Sequence, residues 1–145
     1  QEITEPQLKR GREVLEKLGI EDLANRPYRQ MSTGQQRRCL LGRALIHNPD
    51  HLILDEPTNG LDLNATYYYL NTLRQLLEQE KTILLATHHI HEIPPEIHRV
   101  VFIQGGKVVA DGDKEELLTD QWMSRLFEMP LAVTASNGFY QVLPA

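Results

Sequence analysis

Apolar residues recur at helical spacing in the N-terminal half of the chain. Residues 5–18 predict a helix that ends before Gly19, a residue type that favours a helix C-terminus. Residues 34–47 predict a second helix, with Ser32 as its N-cap. Residues 63–79 predict a third helix. These three helices are expected to form much of the core.

The apolar positions also predict which helix faces are buried. In the second helix they are Leu40, Leu41, Ala44 and Leu45. In the third helix they are Leu63, Tyr67, Leu70, Leu73, Leu76 and Leu77. Gly42 lies inside the second helix, where glycine costs about 1 kcal/mol relative to alanine. We therefore expect a close packing contact at Gly42.

Short apolar runs on either side of the third helix predict two buried strands, His51–Asp55 and Thr82–Thr87. A helix between two such strands is typical of a parallel α/β sheet, in which ligands bind at the carboxyl ends of the strands. Asp55, Glu56 and His88 lie at those ends in the sequence. The sequence therefore predicts that the candidate functional side chains lie together at this edge of the sheet.

Two short turns predict β-hairpins in the C-terminal part of the chain, Gly105-Gly106 and Asn137-Gly138. The strands that flank them are predicted at 99–104 and 107–111, and at 131–134 and 139–143. Short helices are predicted at 114–119 and 120–128.

Composition narrows the class of protein. With 145 residues, 41% hydrophobic and 24% charged, the chain is typical of a globular domain with a core of its own. Its net charge of −5 argues against non-specific nucleic-acid binding, so no nucleic acid is expected as a partner. The apolar runs are far shorter than the roughly 20 residues that span a bilayer. The single Cys39 excludes an intrachain disulfide and is expected to be a small buried residue.

The two carboxylates after the first strand are candidates for metal and acid–base chemistry. Asp55 offers the hard oxygen ligand that Mg²⁺ prefers. Glu56 could act as a general base towards a water molecule that attacks a phosphoryl group. The alternative is that Asp55 and Glu56 only cap the turn before Pro57.

The loop Ser32-Thr33-Gly34-Gln35 is a candidate anion site, because a hydroxyl, a glycine and a helix N-terminus together suit a phosphate group. The alternative is that Ser32 is an ordinary N-cap. Asp62 has the same two interpretations, a functional role or the N-cap of the third helix.

His88 could donate to a phosphate oxygen or orient the attacking water. It belongs to a run of histidines, His88, His89, His91 and His98, that also allows a metal interpretation. That interpretation is disfavoured by the sequence, because no cysteine joins the run and its spacing matches no common zinc pattern.

Taken together, these segments resemble the nucleotide-binding domain of ATP-binding cassette (ABC) proteins. Met31–Gln35 resembles the signature loop and Leu52–Glu56 resembles the Walker B strand with its catalytic glutamate. Asn59–Asp62 resembles the D-loop, and Thr87-His88 resembles the switch-histidine loop. The resemblance covers nearly the whole chain, and no group that the chemistry needs is replaced in these four motifs.

The resemblance implies an α/β fold, a partial P-loop NTPase (ABC ATPase) fold with a mainly parallel sheet, C-terminal β-hairpins and part of the helical subdomain. Residues 1–145 would form a single incomplete nucleotide-binding domain. Residues 1–47 would be the end of the helical subdomain and the signature helix. Residues 48–145 would be the C-terminal part of the ATPase core.

The resemblance also implies roles for single residues. Asp55 would serve Mg²⁺, Glu56 would be the general base, and His88 would contact the γ-phosphate. The residues implied in binding ATP that a partner subunit holds, or in coupling the two subunits, are Ser32, Thr33, Gly34, Gln35 and Asp62.

The function implied is an ATP-binding and ATP-hydrolysing subunit of an ABC transporter, with ATP and Mg²⁺ as cofactors. Its expected partners are a second nucleotide-binding domain, as a homo- or heterodimer, and a transmembrane permease subunit. The expected location is cytoplasmic, peripheral on the inner face of the cell membrane. The alternatives are a non-transport ABC protein of translation or DNA repair, and a truncated inactive remnant.

One family motif is absent from the 145 residues. They contain no G-x-x-x-x-G-K-[ST], the loop that cradles the β- and γ-phosphates. The chain begins at Gln1 and its first methionine is Met31, so we expect an upstream part. We also expect open strand edges in the sheet and no ATP hydrolysis by this chain alone.

Overall fold

A computed structural model describes residues 3–145, and the chain divides into two compact units. Unit 1 extends to Ala86, and unit 2 is Thr87–Ala145. Both units combine helices with strands, as the sequence predicts. The predicted boundary between residues 47 and 48 lies within unit 1 and stays a prediction.

Apart from two single turns of 3₁₀ helix, the described part of unit 1 contains three α-helices and one parallel pair of strands. They are α1 (Glu5–Lys17), α2 (Thr33–Leu45), β1 (His51–Asp55), α3 (Leu63–Glu78) and β2 (Thr82–Ala86). Gly19 follows α1 with a φ of +58°, the left-handed conformation that ends many helices. β1 and β2 run parallel, with Asp55 opposite Ala86.

The core of unit 1 lies among the three helices and β1. Its buried residues are Val14, Leu18, Ile20, Leu23, Leu41, Leu45, Leu52, Tyr69, Leu73 and Leu76. The close contact predicted at Gly42 is confirmed, because a Cβ added there would lie 2.9 Å from Leu18 Cδ1. Cys39 is partly buried and packs against this core.

The predicted buried faces of two helices are partly wrong. α2 buries Leu41, Gly42 and Leu45, whereas Leu40 and Ala44 are exposed, because α1 packs on the side of α2 that carries Gly42. In α3 the first predicted core positions are also exposed, Leu63 by 72% and Tyr67 by 60%.

The strand pair of unit 1 is covered on one face only. Leu52 is buried, but its neighbour Ile53 is 79% exposed. Ile53 pairs with Leu84, which is 58% exposed on the same face. The prediction that His51–Asp55 is a buried strand is therefore wrong for this face. Among residues 3–145, β1 and β2 pair only with each other, so both have an open edge, as expected.

Unit 2 is built from two antiparallel hairpins and two short helices. They are β3 (Arg99–Gln104), β4 (Lys107–Asp113), α4 (Lys114–Leu117), α5 (Asp120–Phe127), β5 (Leu131–Ser136) and β6 (Phe139–Pro144). Both predicted turns are confirmed, and all four of their residues have positive φ, as a type I′ turn requires. The core residues are Val100, Phe102, Leu117, Leu118, Met123 and Leu131.

Lys114 links separate segments of unit 2. Its side chain is only 4% exposed, and its Nζ donates to the carbonyl oxygens of Pro94 (3.1 Å), Pro95 (3.0 Å) and Gly138 (3.4 Å). Burial lowers the pKa of this ammonium group. Lys114 therefore ties the loop before β3 to the turn between β5 and β6.

Among residues 3–145, no helix combines the length and the apolar character that crossing a bilayer requires.

Candidate functional site

The N-terminus of α2 is closed by a reciprocal capping interaction. The Ser32 Oγ accepts a hydrogen bond from the Gln35 backbone N–H (3.3 Å), and the Gln35 side-chain oxygen accepts one from the Ser32 N–H (2.9 Å). This is a capping box, which provides acceptors for two backbone N–H groups that have no partner within the helix. The N-cap interpretation of Ser32 is therefore confirmed, and its side chain remains exposed.

The N-terminus of α3 is capped by Asp62, whose Oδ1 accepts a hydrogen bond from the Ala65 N–H at 2.8 Å. The N-cap interpretation of Asp62 is confirmed as well. A cap of this kind fixes the conformation of the turn before α3. The implied role of Asp62 between two subunits stays a prediction.

These two helix starts line one groove of about 430 Å³. The predicted ATP-binding residues all lie along it: Ser32, Thr33, Gly34, Gln35 and Asp62. The two helices approach closely, since a Cβ added at Gly34 would lie 2.9 Å from the Ala65 Cβ. Each helix N-terminus contributes a positive partial charge to the groove, which favours an anionic ligand, whereas the Asp62 carboxylate lies there with the opposite charge.

The groove also contains residues that the sequence analysis missed, Arg38, Asn64 and Tyr68. The Arg38 guanidinium lies 4.6 Å from the centroid of the Tyr68 ring, and its Nη1 donates to the carbonyl oxygens of Leu18 (3.3 Å) and Gly19 (3.2 Å). It adds a fixed positive charge to the groove. Its spacing of three residues from Gln35, one turn along α2, is the signal that could have identified it.

The two carboxylates lie at the carboxyl end of β1 and do not line this groove. The Asp55 side chain is exposed. The Glu56 N–H donates to the Ala86 carbonyl oxygen at 2.9 Å, and Glu56 has a φ of +43°. Positive φ in a non-glycine residue costs on the order of 1–3 kcal/mol, and such strain is frequent at functional sites.

The exposed carboxylate of Asp55 suits a magnesium ion. Mg²⁺ is usually bound by one or two carboxylates together with water and substrate phosphates. Asp55 offers an exposed carboxylate at the edge where parallel sheets bind ligands, which leaves room for the other ligands.

His88 belongs to unit 2, where it lines a second groove, of about 310 Å³. The backbone turns sharply here, because the Thr87 Oγ1 accepts a hydrogen bond from the His89 N–H at 3.0 Å. The rings of His88 and His89 lie 3.9 Å apart between centroids. The structure thus brings together the first members of the histidine run.

Comparison with known proteins gives consistent matches. The family model described as ABC transporter matches residues 5–59. An ABC transporter ATP-binding protein of Methanopyrus kandleri is 45% identical over 117 residues, which are 80% of this chain and 44% of the relative. The chain spans about half the length of the curated relatives it matches, 44–56% for three of them.

Solved structures give the same result. The chain is similar to cbiO1 of Clostridium perfringens, part of the ABC transporter complex cbiONQ, with 31% identity, a TM-score of 0.70, and coverage of 86% of this chain and 51% of that one. A metal-chelate type ABC transporter in an inward-facing conformation has the same fold, with a TM-score of 0.88 at 22% identity over 99% of this chain and 59% of that one. The chain belongs to the ATP-binding cassette family, as part of the nucleotide-binding domain of an ABC transporter.

Proposed function

We propose that this chain acts in the ATP-binding and ATP-hydrolysing subunit of an ABC transporter, which powers transport through a transmembrane permease. The observation that carries the proposal is the groove between the starts of α2 and α3. It gathers all five residues implied in binding ATP, although Gln35 and Asp62 are 27 positions apart in the sequence.

The groove has the chemistry of a phosphate site. Ser32 and Thr33 supply hydroxyl groups, Gly34 allows close approach, and Arg38 supplies a positive charge. By the family resemblance, the ATP that faces this groove is held by a second nucleotide-binding domain. The dimer partner, the permease and a peripheral position on the inner face of the membrane are parts of the same proposal.

The carboxylates supply the hydrolytic chemistry. Glu56 takes a proton from the water that attacks the γ-phosphate, and the proton is held on its carboxylate oxygen. Asp55 would hold Mg²⁺, which would supply positive charge to neutralise the phosphates. His88 donates to a γ-phosphate oxygen and helps to orient the attacking water.

A chimaera tests the proposal. The matching segment of the Methanopyrus kandleri relative, 45% identical, is replaced by this chain, so that the relative supplies the remainder of the domain. We expect the chimaera to hydrolyse ATP. Its Glu56→Gln variant should bind ATP, lose hydrolysis by at least 100-fold and accumulate as a dimer, because only the base is removed.

The matched control is Glu16→Gln, the same change on the exposed side of α1, which should leave hydrolysis unchanged. Normal turnover by the Glu56→Gln chimaera would exclude Glu56 as the base. The 145-residue chain alone should hydrolyse ATP only at background rate, because it carries no phosphate loop.

A further inference from the structure

We propose that Tyr68 is a positioning residue for the groove between α2 and α3, because its ring holds the Arg38 guanidinium in place. The inference rests on the proposed function, in which Arg38 supplies positive charge for a phosphate group. Tyr68 has no part in that function so far, although both side chains line the groove of about 430 Å³. The face of an aromatic ring attracts a cation, and arginine is found there more often than lysine.

The stacking of Arg38 on Tyr68 carries the proposal. The guanidinium carbon lies 4.6 Å from the centroid of the Tyr68 ring. The Arg38 Nη1 donates to two carbonyl oxygens at the end of α1, but its buried Nε has no hydrogen-bond partner among residues 3–145. A buried donor without a partner is unfavourable, so the guanidinium needs a further attractive contact to stay in this position. The Tyr68 ring supplies that contact.

Tyr68 is itself fixed by the residue that follows α1. A Cβ added at Gly19 would overlap the Tyr68 hydroxyl oxygen, so this position of the ring requires a glycine. The Gly19 carbonyl oxygen also accepts one of the two hydrogen bonds from Arg38, at 3.2 Å. Gly19, Arg38 and Tyr68 therefore contact one another in a closed set, in which each residue restrains the other two.

This set of contacts extends the packing between the two helix starts. Gly34 meets Ala65 in the first turn of each helix. Arg38 follows Gly34 by four residues and Tyr68 follows Ala65 by three, so both lie one turn further along. An arginine normally loses side-chain freedom when it binds a ligand. Because the Tyr68 ring already restrains Arg38, less freedom remains to be lost when a phosphate oxygen binds.

The first test measures ATP hydrolysis by the chimaera as a function of ATP concentration. Tyr68→Leu should raise the KM for ATP about fivefold and leave kcat within about twofold, because it weakens the hold on phosphate and does not touch the base. Tyr68→Phe retains the ring and should retain the KM of the parent chimaera.

The matched control is Tyr67→Leu, the same change at a neighbouring position that is 60% exposed and does not line the groove. It should leave both kinetic constants unchanged. An unchanged KM in Tyr68→Leu, or an equal rise in Tyr67→Leu, would overturn the proposal.

A cycle of double variants tests whether Tyr68 acts through Arg38. Arg38→Gln should raise the KM at least as much as Tyr68→Leu, because it removes the charge itself. Tyr68→Leu should then add nothing in the Arg38→Gln background. Additive effects of the two substitutions would contradict a positioning role.

NMR of the 145-residue chain tests the contact without relying on ATP hydrolysis. The Arg38 Nε–H signal, identified by its loss in Arg38→Gln, should be shifted upfield, because the face of an aromatic ring shields nearby protons. Tyr68→Phe should keep this shift and Tyr68→Leu should abolish it. The same signal in Tyr68→Leu as in the parent chain would overturn the proposal. A chimaera without any ATP hydrolysis would count against the proposed function, and this signal would still decide whether Tyr68 positions Arg38.

Discussion

The strands of unit 1 and those of unit 2 are held together in different ways. β1 and β2 are parallel and are joined through α3, so that their pairing depends on a long crossover. The strands of unit 2 are antiparallel neighbours, joined by two-residue turns. Both units leave apolar side chains exposed on one sheet face, for example Ile53 in unit 1 and Ile103 in unit 2. The exposure of apolar side chains therefore does not distinguish the two units. They differ in how far apart in sequence their paired strands are.

This difference affects how the candidate sites are positioned. In unit 1 the groove depends on the contact between Gly34 and Ala65, which lie on two helices far apart in sequence. In unit 2 the turn that carries His88 is fixed locally, by the hydrogen bond from the His89 N–H to the Thr87 hydroxyl. A substitution distant in sequence can therefore displace the groove of unit 1, whereas this turn is more robust to such changes.

The largest expected effect tests whether the hairpins of unit 2 are purely local. Gly138 has a φ of +77°, and a Cβ added there would lie 2.8 Å from the Pro95 Cβ. Gly138→Ala combines left-handed strain of about 1–2 kcal/mol with a clash of about 1–3 kcal/mol, so we expect a loss of about 3 kcal/mol. Urea unfolding followed by the fluorescence of Trp122, the only tryptophan, measures it.

The control for this variant is Gly106→Ala, which has a matching φ of +74° and nothing within 4 Å of the added Cβ. It should lose only the strain, about 1–2 kcal/mol. Equal losses of stability in the two variants would show that Pro95 moves away from the added Cβ at no cost in free energy. The turn between β5 and β6 would then depend on its own hairpin alone, like the turn between β3 and β4.

The next prediction tests how firmly α3 is buried in unit 1. Tyr69 is 3% exposed, and burial raises its pKa to about 12. The unfolded chain releases this proton near pH 10, so that unfolding is favoured as pH rises from about 10 to about 12. Tyr69 should therefore contribute a loss of stability on the order of 2–3 kcal/mol across this range. Urea unfolding at pH 9 to 12 measures it.

Tyr69→Phe should remove this part of the alkaline loss, because phenylalanine has no proton to release. Tyr67→Phe, on the same helix but at a 60% exposed position, should retain it. The same pH dependence in both variants would mean that water reaches Tyr69 in the folded state.

A smaller effect probes the contact between α2 and α3. Gly34→Ala gains at most about 1 kcal/mol of helix propensity, because Gly34 lies in the first turn of α2, but it creates an overlap that costs about 1–3 kcal/mol, because the Ala65 Cβ cannot rotate away. We expect a net loss of about 1 kcal/mol in the parent chain. In an Ala65→Gly background the overlap is removed, and the same substitution should be stabilising.

Gly11→Ala is the control for this cycle. Gly11 lies in α1, and nothing lies within 4 Å of its added Cβ, so that only the gain in propensity of about 1 kcal/mol remains. If Gly34→Ala destabilises the chain equally in both backgrounds, the two helix starts are not coupled through Ala65. Thermal unfolding of the four variants of the cycle and this control decides the point.

The local features of the chain were the most predictable from its sequence. Residue types that determine their own conformation account for both hairpin turns and for the N-cap Ser32. They also account for the start of β1 at His51 and the end of β3 at Gln104. The buried face of α2 was predicted only in part, because Leu40 and Leu41 are equally apolar and only the position of α1 selects between them. The groove was not predictable for the same reason, since Arg38 and Asn64 line one groove only after α2 and α3 have packed.

The smallest effect is expected from the ion pair across β3 and β4. The Arg99 Nε and Nη2 both donate to the Asp111 carboxylate at 2.8 Å, and this hydrogen bonding holds the pKa of Asp111 below its usual value. The pair therefore stabilises the folded chain above the ordinary carboxyl pKa, and this contribution is lost as pH falls through the lowered pKa.

Because both side chains are exposed to water, Asp111→Asn should shift the urea midpoint less than Gly34→Ala, and 1 M salt should reduce the shift further. Arg99→Gln should shift the urea midpoint by the same amount, and the double variant with Asp111→Asn should show no further shift. A larger, salt-independent shift would show that this hairpin relies on its side-chain pair more than on its turn.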